Sequence, residues 1–124
     1  MTDASYAIIF NGRYVEVMSA GRKSIAFARR LFTAISKACD NHECYRVLGI
    51  GASEDALPTS DAFDHAELFS ELGIDNRYRI AWVETNPEAR SSIKFVEDVL
   101  YNRGLPGRLF NSIEDARRWL VEDL

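Results

Sequence analysis

Apolar residues fall in short runs split by polar punctuation, and their spacing switches between two and three-to-four along the chain. Tyr6–Phe10 is an apolar run, then come Asn11-Gly12 and Arg13–Met18, where Tyr14, Glu16 and Met18 alternate with Val15 and Val17. Asn-Gly between two strand-like runs predicts an antiparallel hairpin with a type I′ turn, because both residues tolerate positive φ. From Arg22 to Asp40, Ile25, Ala28, Phe32, Ile35 and Cys39 recur three and four apart. That stripe, widened by Leu31, predicts an amphipathic helix. Arg22, Lys23, Arg29, Arg30 and Lys37 lie mostly off it and read as a solvated face.

Tyr45–Ile50 is nearly all apolar and reads as a central strand. Gly51–Thr59 reads as a loop. Ser60 or Asp61 is then expected to cap a second helix carrying Phe63, Ala66, Leu68, Phe69 and Leu72, with Gly73 as its stop. In Arg77–Val83, Tyr78, Ile80 and Trp82 alternate with Arg77, Arg79, Ala81 and Val83, the pattern of a fourth strand. Glu84-Thr85-Asn86-Pro87 turns into a third helix: Asn86 is a good N-cap, and Pro87 suits the first helical position. That helix runs to about Asn102 on the stripe Ala89, Ile93, Val96 and Leu100, and Gly104 ends it. Arg108–Phe110 is a short fifth strand. Ser112, with Asp115 three residues on, caps a last helix whose inner face is Ile113, Ala116, Trp119 and Leu120. The order β-β-α-β-α-β-α-β-α predicts an α/β fold with a single mixed sheet, an antiparallel hairpin followed by parallel β-α units. Crossovers that all advance in one direction would gather the helices on one face of that sheet.

Composition narrows the class. The chain has 124 residues, and 15 Lys+Arg against 19 Asp+Glu give a net charge of −4. This suits one domain over residues 1–124 and disfavours nucleic acid as a partner. Hydrophobic residues make up 47%, too many for disorder. No run nears the roughly 18 apolar residues of a membrane span. Asp3 stands where a secretory signal would be basic. A cytoplasmic protein is therefore expected. The two cysteines, Cys39 and Cys44, frame His42 as Cys-x-x-His-x-Cys. They read first as structural thiols, since no fourth ligand stands at a zinc-site spacing.

Sites in parallel sheets lie beyond the carboxyl ends of the strands, here Gly51–Thr59, Glu84–Asn86 and Asn111–Ser112. Gly49-Ile50-Gly51 lacks the rest of any phosphate-loop or dinucleotide fingerprint and reads as a pair that lets the chain turn sharply or pack closely. Ser53, Ser60 and Ser112 have no nucleophile-elbow context. His65, mid-helix near Asp61 and Asp64, reads as a surface residue; Asp55 and Glu84 could form a carboxylate pair. No constellation assigns nucleophile, base and oxyanion donor together, so neither catalysis nor a cofactor is expected.

The C-terminal third carries Arg79-Ile80-Ala81-Trp82-Val83, then Phe95-Val96-Glu97, Asn102-Arg103-Gly104 and Arg108-Leu109-Phe110. It closes on Ser112-Ile113-Glu114-Asp115-Ala116 and Trp119-Leu120. This pattern resembles the bacterial STAS-domain proteins, named for sulfate transporters and anti-sigma-factor antagonists. The resemblance implies a β-α superhelix with a binding or regulatory role, and a protein partner. In anti-sigma-factor antagonists a partner kinase phosphorylates a Ser at the start of the second helix, in an Asp-Ser-Ser-Gly loop. Ser60 is the nearest positional match here; the Ser-Gly pair is absent and the loop is longer. The loop residues Ser53, Glu54, Asp55, Thr59 and Ser60 are accordingly the candidate docking or regulatory site, and Glu84, Thr85 and Asn86 a second site at a strand end. Ser60 reads first as a plain N-cap and second as a switch.

Two further expectations are open. Tyr14 and Met18 on a less-covered face at the sheet edge would favour a homodimer. The aromatic content (5 Tyr, 7 Phe, 2 Trp) would suit a carrier of a small apolar or lipid-like ligand, in an enclosed pocket of roughly several hundred Å³.

Overall fold

The computed structural model describes residues 4–56 and 58–123, the side chain of Thr59 excepted. Strands β1 (Ser5–Phe10), β2 (Val15–Gly21), β3 (Arg46–Ser53), β4 (Arg79–Glu84) and β5 (Arg108–Phe110) form one sheet in sequence order. β1 and β2 pair antiparallel; every later pair is parallel. Helices α1 (Ile25–His42), α2 (Thr59–Leu72), α3 (Pro87–Asn102) and α4 (Ile113–Val121) alternate with the strands as the sequence pattern predicts.

The hairpin is real, but its turn is not type I′. Phe10 pairs with Val15, leaving a four-residue loop. Asn11 Oδ1 accepts from the backbone N–H groups of Arg13 (2.9 Å) and Tyr14 (3.0 Å), and only Gly12 in the loop has positive φ (91°). The Asn side chain satisfies the turn's donors locally, so its own backbone never enters the left-handed region. β2 consequently starts later than the alternation suggests and runs further, to Gly21. α1 starts at Ile25 behind Ser24, whose Oγ accepts from Phe27 N–H.

Helices α1, α2 and α3 lie on one face. There Val15, Val17, Val47 and Ile80 meet Phe27, Leu31, Phe32, Ile35, Phe69, Val96 and Leu100 in the larger core. The expectation that all four helices share that face fails for α4. It crosses beneath the sheet to pack on β3, β4 and β5, where Ala116 and Leu120 meet Leu48, Ala81 and Val83. The reason is strand alternation: Leu48, Ala81 and Val83 point opposite to Val47, Ile80 and Trp82, and that second apolar face needs a cover. Tyr14 belongs to this smaller core and is 7% exposed, so it does not lie on an open face, whereas Met18 remains 52% exposed.

Candidate functional site

β3 runs through Ser53, three residues past the point where a loop was expected, because Gly51, Ala52 and Ser53 stay in register with Ser19, Ala20 and Gly21 of β2. The extension joins two candidate sites into one. Glu84, last residue of β4, is 3% exposed, and its carboxylate accepts from Ser53 N–H (3.1 Å), Ser53 Oγ–H (2.7 Å) and Asn86 N–H (3.1 Å). Asn86 Nδ2 returns to the carbonyls of Ser53 (2.7 Å) and Glu54 (3.2 Å) while its Oδ1 caps α3 at Glu88 N–H (3.0 Å). Thr85 Oγ1 donates to the Gly51 carbonyl (2.9 Å). The three donors satisfy this buried carboxylate without a dedicated arginine.

Lys23 completes the cluster. Its Nζ donates to Ser53 Oγ (3.1 Å). Burial lowers its pKa, against an upward pull from the Glu84 charge. Sequence reasoning placed Lys23 on a solvated helix face. Because α1 starts only at Ile25, Lys23 instead stands in the short link after β2, at the carboxyl end of the sheet. That position was the missed signal.

The other predicted residues are arranged differently. Glu54 and Asp55 are exposed; Asp55 pairs with Arg22 (3.0 Å) and has no part with Glu84, so the carboxylate pair does not form. Ser60 is exposed in the first turn of α2 and does not cap it. Pro58 occupies the N-cap position, with no side-chain bond, and Asp61 N–H reaches the Pro58 carbonyl (3.0 Å). The Thr59 side chain lies outside the described residues. Cys39 is fully buried, and its thiol is pushed up to about 12, mainly by burial. Cys44 Sγ contacts the Arg13 carbonyl (3.5 Å), and His42 stacks on Phe10 (4.2 Å between centroids). Among the described residues no three His, Cys, Asp or Glu side chains are placed to hold a metal ion. His65 is half-buried; its Nδ1–H donates to the Asp61 carbonyl (2.6 Å).

Between the sheet and helices α1–α3 lies a mostly apolar cavity of about 90 Å³. Phe27, Leu31, Phe69, Trp82 and Leu100 are among its walls, and Ser19, Lys23, Ser53 and Glu84 are polar groups on its lining. It is far smaller than the space a lipid-like cargo needs. Among the described residues no helix is long and apolar enough to cross a membrane.

No family model matches the chain, and no curated protein matches it. A solved structure does: an anti-sigma factor antagonist from Mycobacterium paratuberculosis, at TM-score 0.64 and 10% identity, covering 96% of this chain and 95% of that one. The fold is thus STAS-like, an α/β domain with one mixed five-stranded sheet and four helices, as the C-terminal pattern implied.

Proposed function

We propose that this protein is a non-catalytic regulatory binding module of the STAS-like type. Its docking surface would be the β3–α2 loop with the adjoining end of β4. One observation supports this above others: the root of the loop is locked and its tip is exposed. Glu84, Ser53 and Asn86 bind each other through buried hydrogen bonds, while Glu54, Asp55 and Ser60 face solvent. A rigid base presenting a charged tip suits recognition by a protein surface. The same bonds tie these groups to one another: the Ser53 hydroxyl donates to Glu84, which also accepts from the Ser53 and Asn86 backbone N–H groups. The solved structure of the same fold is that of an anti-sigma factor antagonist, a regulatory role. A protein partner in the cytoplasm is the reading that follows for this chain.

The test is affinity capture from the native host with the wild-type chain, then with Glu54→Arg/Asp55→Arg, Ser60→Asp and Ser60→Ala. Charge reversal is expected to weaken the captured partner at least tenfold. If Ser60 is a phosphorylation switch, the Asp and Ala forms will bind differently. A partner held equally by all four chains would reject the loop as the docking surface.

A further inference from the structure

The cavity between the sheet and helices α1–α3 has a polar corner with a hydroxyl that no side chain or backbone group of the described residues meets. On the helix-facing side of the sheet, Ser19, Gly51 and Glu84 stand side by side on β2, β3 and β4. Gly51 brings no side chain to this row, and the Glu84 carboxylate and the Trp82 indole close over its backbone. Ser19 is 4% exposed and lines the cavity, yet its hydroxyl has no hydrogen-bond partner among the described residues. An unpartnered buried hydroxyl carries a desolvation cost that native structures rarely leave uncompensated. Two donors line the same cavity, beside the Glu84 carboxylate. Lys23 Nζ uses one N–H on Ser53 Oγ (3.1 Å) and has two more to give. The Trp82 indole nitrogen stands 3.1 Å from the Cβ position that Gly51 lacks.

We infer that this cavity is a binding site for a small neutral molecule with an apolar body and one acceptor oxygen, of the ketone or amide-carbonyl class, seated against Ser19 and Lys23. The size follows from the volume. An apolar cavity of about 150 Å³ holds benzene, so about 90 Å³ admits roughly four non-hydrogen atoms. The head-group chemistry follows from the donors, which ask for an acceptor. Its neutrality follows from Glu84: the Lys23 charge already faces that carboxylate, and a second anion in an apolar pocket would meet repulsion and an uncompensated desolvation cost. Phe27, Leu31 and Phe69 supply walls for the apolar body. The site is separate from the exposed tip of the docking loop and does not depend on the partner reading.

Acetone and acetate are the probes, matched in size and differing in charge. Each is titrated into the full-length, isotope-labelled chain and followed by amide and indole N–H shifts in two-dimensional NMR. Acetone is expected to produce saturable shifts at Ser19, Gly51 and the Trp82 indole, with a Kd in the millimolar range that so few contacts allow. Acetate is expected to produce none that saturate. Ser19→Ala should weaken acetone roughly tenfold, the worth of one good hydrogen bond, with an otherwise native spectrum. Acetone shifts that stay linear or scatter over the surface would overturn the proposal, as would acetate binding as tightly as acetone. An unchanged acetone affinity in folded Ser19→Ala would overturn it too. Should that variant not fold, the comparison of the two probes on the wild-type chain decides alone.

Discussion

Trp82 is accommodated by what its neighbour lacks. Gly49 pairs with Trp82 across β3 and β4, and a Cβ on Gly49 would lie 2.0 Å from Trp82 Cε3. The indole therefore lies over bare backbone and fills the volume two side chains would otherwise share. Gly51 does the same less severely for Glu84 Oε1, at 3.0 Å. Gly49→Ala should destabilise by about 3 kcal/mol, the upper range for overpacking in a core, and Gly51→Ala by less. Urea midpoints give both, and Gly49→Ala with Trp82→Leu should recover part of the loss. The cysteines separate equally sharply. Burial holds the Cys39 thiol protonated up to about 12, against an ordinary value of 9.0, with the nearby Cys44 and Asp40 charges adding to the effect. A raised folded pKa contributes stability that is complete below the unfolded value and disappears as pH climbs through that window. Chain stability should therefore fall between about pH 9 and 12, and Cys39→Val should flatten that decline. At pH 8 an aromatic disulfide reagent should modify Cys44 readily and Cys39 only as fast as the chain unfolds.

At the level of elements, legibility tracked how local the determinant was. The starts of α3 and α4 were readable to the residue because their caps are short-range chemistry: Asn86 Oδ1 accepts from Glu88 N–H and Ser112 Oγ from Asp115 N–H. β5 was readable between its Gly and Ser punctuation. The start of α2 was not, since Ser60 and Asp61 both carry capping side chains and the chain enters the helix two or three residues sooner, through Pro58. The end of β3 was not legible either. Gly51 and Ala52 look like loop residues, and only pairing with β2 keeps them extended, a tertiary effect that overrides weak strand propensity. The candidate site suffered for the same reason. Ser53 and Glu84–Asn86 could each be picked as strand-end residues, but their meeting depends on that extension, and so does the recruitment of Lys23. These assignments separate two otherwise similar substitutions. Ser112→Ala should cost about 1 kcal/mol, the usual loss of an N-cap. Ser60→Ala should stay within about 0.5 kcal/mol, as an exposed site away from special contacts does. Paired thermal melts distinguish them.

For the whole molecule, the decisive feature is how α4 is fastened to the second face of the sheet. No sequence pattern announced that side, because an amphipathic stripe shows that a helix packs without showing on which face. Two arginines hold it. Arg79, from the first position of β4, donates to the Trp119 carbonyl (2.7 Å) and to Glu122 (2.6 Å) and stacks its guanidinium over the Trp119 ring at 4.1 Å. Arg46, from the first position of β3, donates to the Leu120 carbonyl and to Asp123 (2.8 Å). Both cations thus sit at the C-terminal end of α4, where unpaired carbonyls and the helix dipole favour positive charge. With only nine residues, α4 would be marginal without this anchorage. Arg79→Met keeps much of the aliphatic stem but removes the donors and the stacking group. It should cost about 2 kcal/mol, within the range for leaving a carbonyl unpaired. Arg77→Met, whose exposed side chain pairs with Asp75 alone among carboxylates, should leave the melting temperature nearly unchanged. In Arg79→Met, hydrogen exchange should accelerate across 113–121 while β2 and β3 stay protected, because the larger core under α1–α3 does not depend on α4. Acceleration spread evenly over every element would show instead that the two faces unfold as one unit, and that α4 is no separable cover.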